Sequence, residues 1–253
     1  AQVLADLTRY TNTLDPTIPA GFVGAQQPSA YGGFDYALIS RAVQWMEALD
    51  MGGINEILRS FWNRPRRVQI QTYDAGGSYK KNVWTLWNRL AHGHQAAIAW
   101  PKGWMRESSP GKRELSPMIE KLAPTFREIQ GRVGEFIVHR DTYLDTDPIG
   151  LYYSHPSIRA GWVIDSIPHG ATWPKRLTAV DDANLSSAWL RLSWCKLLED
   201  LGYQYEFVSY LDVHEQRINL RDRFKIIILN QTLCLSEREA QAAAAATALN
   251  PIT

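Results

Sequence analysis

The side chains best equipped for chemistry lie between Arg67 and Met105. There two strand-like segments, RRVQIQTYDAGG and HQAAIAWPKGWM, flank a helical segment, KNVWTLWNRLAHGH. Asp74 directly follows the first segment with Tyr73 beside it, and Trp100 and Trp104 close the second. Glu47 ends an earlier segment of the same kind, AVQWME. Carboxylates at strand ends are placed for proton transfer or nucleophilic attack, because α/β barrels present their catalytic groups at the carboxyl ends of strands. Aromatic rings can lie against the apolar CH faces of sugars. These residue types predict a glycan-type pocket, with Asp74 and Glu47 as catalytic candidates and Tyr73, Trp100 and Trp104 as substrate-binding candidates.

Each residue also has an ordinary structural reading. An Asp before Gly-Gly can close an Asx turn, and Glu47 can pair with Arg59 or Arg64. Asp50 and Glu56 read as a solvated loop acid and a helix-surface acid. His92 and His94 form an H-x-H pair without a third ligand at useful spacing, so a role at a helix C-terminus is favoured over zinc. His155 ends a strand in the second half, where doubly wound folds bind ligands. Cys234 sits between a strand and a helix but lacks the flanking glycines of a nucleophile elbow. Neither G-x-G-x-x-G after a strand nor a Walker loop occurs, and no cofactor or metal is expected.

The elements that would position these groups alternate in type. A helix over residues 1–14 precedes a short strand at 18–24, and residues 36–46 run from helix into strand. NEILRSFW reads as a helix, VQIQTY as a strand, the Trp84/Trp87 segment as a helix packed on the sheet, AAIAW as a strand, and Ser116 to about Gly134 as a helix. Such alternation argues for parallel strands joined by helical crossovers. Four strands are too few to close an eight-stranded barrel. Near Asp141 the composition turns acidic and turn-rich, and the pattern restarts with IGLYYS, a helix ending at Gly202, YEFVSY, FKIIILN, and a helix opened by a capping box of Ser236 and Glu239. The expected organisation is two units, residues 1–147 and 148–253, the second opening a doubly wound domain.

Composition narrows the partners. The 253 residues carry a formal charge of +1 without a basic run, which offers no footprint for nucleic acid or an anionic membrane. The longest apolar runs are too short to span a bilayer. Two cysteines do not make a disulfide scaffold. The chain starts without Met inside a helical pattern and is expected to be a piece of a larger protein, which leaves its compartment open.

The segments LTRYTNTLDPTIPAGFVGAQQPSAYGGFDYALISRAVQWMEALD, VQIQTYDAGG, LAHGHQAAIAWP and IGLYYSHPSIRAGW together resemble glycoside hydrolases of the family 42 β-galactosidase type, and FKIIILNQTLCLSEREAQA resembles their trimerisation domain. The resemblance is one of overall pattern over nearly the whole chain. It implies an α/β fold made of the C-terminal part of a (β/α)8 barrel followed by a partial flavodoxin-like or Rossmann-like domain of the class I glutamine-amidotransferase type. It also implies a carbohydrate substrate, a two-carboxylate mechanism and a homotrimer. The family's acid/base Glu would lie before Ala1, and its nucleophile falls at the end of VQIQTY, where this chain has Asp74 in place of Glu. The resemblance thus leaves three options: Asp74 serves from a shifted backbone, Glu47 takes a role, or the chain is a non-catalytic carbohydrate-binding or structural barrel that has lost the hydrolytic pair.

Overall fold

The computed structural model describes residues 1–30, 33–49, 51–63, 67–99, 103–139, 141–168 and 186–247. The first half is a parallel sheet with helical crossovers. Helix α1 (Gln2–Leu14) leads into β1 (Gly21–Ala25), followed by α2 (Tyr36–Ala42), β2 (Trp45–Ala48), α3 (Ile54–Phe61), β3 (Val68–Tyr73), α4 (Tyr79–Ala91) and β4 (Ala96–Ala99). The strands pair in the order β1-β2-β3-β4, all parallel, so each crossover advances by one strand in the same direction.

Local chemistry sets the helix starts. The Asp35 carboxylate accepts from the Ala37 amide at 3.1 Å to cap α2, and the Ser78 hydroxyl accepts from the Lys81 amide at 3.2 Å to cap α4. Strand alternation then sorts the side chains of β2. Met46 and Ala48 enter the hydrophobic core under the helices, so Glu47 between them belongs to the opposite face.

An antiparallel hairpin follows, β5 (Met105–Ser109) and β6 (Lys112–Leu115), and then α5 (Pro117–Ile129) and α6 (Arg132–Val138). The single helix expected from Ser116 to Gly134 is thus two, interrupted at Gln130 and Gly131, where the Gly131 amide turns back to the Glu128 carbonyl. The hairpin had no sequence signal because nearly all its residues are exposed, which removes the apolar alternation that marks a strand.

The second sheet starts with β7 (Ile149–Tyr153), buried along its whole length, followed by α7 (His155–Ser166) and α8 (Ser186–Asp200). Next come β8 (Glu206–Ser209), α9 (Tyr210–His214), α10 (Leu220–Arg223), β9 (Ile226–Ile228) and α11 (Glu237–Thr247). Its parallel strands lie in the order β8-β7-β9. The capping box at α11 forms as expected. The Ser236 amide donates to Glu239 Oε2 at 2.8 Å and the Glu239 amide to Ser236 Oγ at 3.3 Å.

The two sheets share one hydrophobic cluster, with Met46, Ile57, Leu58 and Trp62 packed together with Leu151, Tyr153, Cys195 and Phe207. Polar contacts reinforce it: Ser60 Oγ accepts from the Phe207 amide of β8 at 2.8 Å, and Arg59 reaches Gln204 and the Tyr205 carbonyl at 3.0 and 3.1 Å. The chain is an α/β protein built on parallel sheets.

Candidate functional site

The carboxyl ends of β1 to β4 gather most of the residues singled out in the sequence. Glu47 on β2 is 1% exposed. Its Oε2 accepts from the Gly24 amide at 2.5 Å, and its Oε1 has no protein partner among the described residues. The backbone makes this contact possible. Pairing of β1 with β2 shifts register between Phe22 and Ala25, and Gly24 there has φ of +87°, a conformation that suits glycine. The result is a carboxylate removed from water and, among the described residues, short of hydrogen bonds. Burial without a full complement of partners is costly and is a frequent mark of a functional group.

Asp74, one residue past β3, is exposed. The loop after β4 comes close to it: a Cβ on Gly103, whose φ is +93°, would lie 3.5 Å from Asp74 Oδ1. Trp104 follows in that loop and stands edge-on to Tyr73 with ring centroids 5.7 Å apart, while Phe126 of α5 closes the group at 5.5 Å from Trp104. Ser116 ties the start of α5 to the same loop, its hydroxyl donating to the Gly103 carbonyl at 2.7 Å and its amide to the Trp104 carbonyl at 2.8 Å.

Tyr73 is 3% exposed and its hydroxyl donates to Asn82 Oδ1 of α4 at 2.7 Å. Burial first, and then the neighbouring Asp74 charge, push the phenol up to about 12, so it stays protonated and keeps this bond. Tyr73 therefore braces the strand end from the helix side, and the indole Nε1 of Trp104 is buried without a hydrogen-bond partner among the described residues.

Tyr73, Asp74 and Trp104 thus come together, while Glu47 lies deeper along the sheet. Glu47 pairs in register with Ile70, four residues before Asp74, a rise of roughly 13 Å in extended chain. A retaining glycosidase needs carboxyl groups about 5–5.5 Å apart. Asp74 and Glu47 are therefore better suited to serve with other groups than as a pair with each other. Trp100, Asp50 and Arg64 lie outside the described residues.

No family model matches this chain, and neither do the curated proteins or the solved structures.

Several polar residues have partners that spacing did not suggest. Glu56 is not a helix-surface acid: it is 8% exposed and pairs with Arg59 Nε at 2.6 Å and His92 Nδ1 at 2.8 Å. Arg59 therefore pairs with Glu56, and Glu47 stays without it. His92 is the C-cap residue of α4, the helix-end position expected for it. His94 is 3% exposed, with Nε2 at 3.1 Å from the Gln69 amide nitrogen. No group of three metal-ligating side chains occurs among the described residues, nor any helix long and apolar enough to cross a membrane. Cys234 contributes its backbone, which bonds the Ser157 hydroxyl through both its amide and its carbonyl.

His155, by contrast, has acquired company. It is 2% exposed at the first position of α7, and it lines a cavity together with Asp35, Arg159 and Tyr210. No spacing rule could have found this group, since the loop after β1 supplies Asp35 and the segment after β8 supplies Tyr210.

Proposed function

We propose that this chain is part of a carbohydrate-active enzyme that hydrolyses glycosidic bonds, of the β-galactosidase-like type that the sequence resembles. The observation that carries the reading is Glu47: a carboxylate near the carboxyl end of a parallel strand, shielded from water, with one oxygen lacking a partner among the described residues. A carboxyl group in such a setting is suited to exchange a proton with a substrate that brings the missing hydrogen bond. Asp74 at the next strand end, in reach of the Gly103 loop and the Tyr73/Trp104 wall, supports the same reading. The consecutive parallel order of β1 to β4 fits four neighbouring units of a (β/α)8 barrel, and the order β8-β7-β9 fits the opening of a flavodoxin-like domain.

In this reading aromatic and polar strand-end groups orient the sugar. One carboxyl group protonates the leaving oxygen and a second stabilises or attacks the oxocarbenium-like centre. The separation of Glu47 and Asp74 along the sheet supports a pairing in which each would work with a carboxylate other than its counterpart. Assembly through the second unit is supported by exposed apolar side chains on α7 and α8, including Val163, Ile164, Trp189 and Leu197.

The test is to assay the intact gene product that carries these residues against aryl β-galactosides and other aryl glycosides. Glu47→Gln and Asp74→Asn are then introduced separately. Loss of a general acid/base typically costs 10²- to 10⁴-fold in rate, so at least one variant should fall by about a thousandfold while keeping its circular dichroism spectrum. Full activity in both variants removes these residues from the chemistry. Failure of the intact protein to turn over any glycoside favours the non-catalytic carbohydrate-binding barrel.

A further inference from the structure

A second site is built where the loop after β1 meets the carboxyl ends of β7 and β8. A cavity of about 500 Å³ opens there, lined among others by Gly33, Asp35, Leu38, His155, Arg159 and Tyr210. It lies beside the central strand of the order β8-β7-β9. The crossover from β7 goes to one side of that strand and β9 lies on the other, so strand order reverses there, a location where open α/β sheets bind ligands.

Polar groups converge on this cavity with hydrogen-bonding capacity to spare. The two Asp35 oxygens accept from the Ala37 amide at 3.1 Å and the Tyr210 hydroxyl at 2.8 Å, one bond each among the described residues, and each oxygen has a further lone pair to offer. Arg159 is exposed and spends its Nε on the Ala30 carbonyl at 3.2 Å. Neither ring nitrogen of His155 has a partner among the described residues, although the side chain is 2% exposed. Burial lowers the His155 pKa, so at neutral pH the ring is uncharged and offers one donor and one acceptor.

We propose that this cavity binds a small neutral polyhydroxylated molecule, a sugar or polyol, through His155, Asp35, Tyr210 and Arg159. A hydroxyl group both donates and accepts, which is what a neutral imidazole beside a carboxylate and a guanidinium calls for. An anion would meet the Asp35 carboxylate on the same wall, and an apolar molecule would leave the imidazole unpaired at a cost. The proposal stands apart from the assignments at Glu47 and Asp74.

The ring Cε1–H signals of the 6 histidines in the 253-residue chain provide the readout, with His155 assigned by its loss in His155→Gln. Galactose, glucose and myo-inositol are titrated in separate series, with inorganic phosphate and acetate as anionic controls. The expected result is a saturable shift of the His155 signal with at least one of the three polyols. Its dissociation constant should rise tenfold or more in Asp35→Asn, which keeps a capping side chain on α2, and in Tyr210→Phe. The proposal is overturned if no polyol shifts His155 saturably, if only the anions do, or if both variants bind as the parent does. Should one variant fail to fold, the other and the parent titration still decide.

Discussion

The buried ionisable residues Glu56 and His94 should make stability depend on pH. Burial favours the neutral form of Glu56, but Arg59 and His92 outweigh it and hold the carboxyl down at about 2, against an ordinary value of 4.5. His94 is held down at about 3, against 6.5, first by burial and then by the nearby Arg89 charge. Both shifts act in the same direction. On acidification the unfolded chain takes up protons, at His94 from pH 6.5 and at Glu56 from pH 4.5, that the folded chain refuses until about 3 and 2. Stability from these groups is therefore complete above pH 6.5 and falls below it, with a slope approaching about 1.4 kcal/mol per pH unit for each group. Urea midpoints should drop steadily from pH 7 to pH 4, and His94→Gln should flatten the part between pH 6.5 and 4.5. A midpoint independent of pH would contradict the buried, uncharged state of His94. At the same scale, Glu56→Gln leaves Arg59 without its carboxylate and should cost about 3 kcal/mol in urea denaturation.

Single side chains also decide how elements seat on one another. Glu239 closes the capping box of α11, and its Oε1 accepts from the Tyr152 hydroxyl of β7 at 2.5 Å. One carboxylate thereby starts the helix and fastens it to the central strand of the second sheet. Glu239→Ala removes both bonds and should destabilise the protein by about 2 kcal/mol, whereas Tyr152→Phe leaves the cap intact and should cost about 1 kcal/mol. Equal losses in thermal or urea unfolding would show that the link to β7, and not the cap, carries the effect. The first sheet has a comparable device. The amide of Gly24 reaches Glu47 because β1 changes register beside it, so an element boundary sets the surroundings of the candidate catalytic carboxylate.

Over the whole molecule, the two parallel sheets are separate in strand pairing but share one core. Leu58 and Trp62 of the first unit share a cluster with Leu151, Tyr153 and Phe207 of the second, and Ser60 and Arg59 bond its backbone. Residues 1–147 expressed alone would expose that apolar surface. They should fail to give a dispersed amide spectrum in solution, and a well-folded 1–147 fragment would contradict the shared core. The full chain also leaves Val23 and Val68 of the first sheet 50% and 39% exposed. Apolar side chains exposed on an open sheet favour association, so sedimentation at micromolar concentration should show assemblies larger than one chain, and a clean monomer would contradict that.

By itself the sequence determined what depends on near neighbours. The alternation of strands and helices follows from hydrophobic period, and VQIQTY became β3 over Val68–Tyr73, although its covered side carries Gln69, Gln71 and Tyr73 and leaves Val68 exposed, an inversion that hydrophobic period does not foretell. The capping box at Ser236 and Glu239 needs only a three-residue spacing, and the strand-end positions of Asp74 and Glu47 follow from where the apolar runs stop. The exposed hairpin of β5 and β6 and the break between α5 and α6 escaped this reading because no apolar period marks them. Only the tertiary structure decided which polar groups are buried and with whom. Glu56 looks like a surface acid until α4 brings His92 beside it, Glu47 loses Arg59 to that same acid, and His155 meets Asp35 and Tyr210 only after two sheets pack through one core. Burial and partnership join residues far apart in the chain, and the forces that fix them act through the packed core, to which local periodicity is blind.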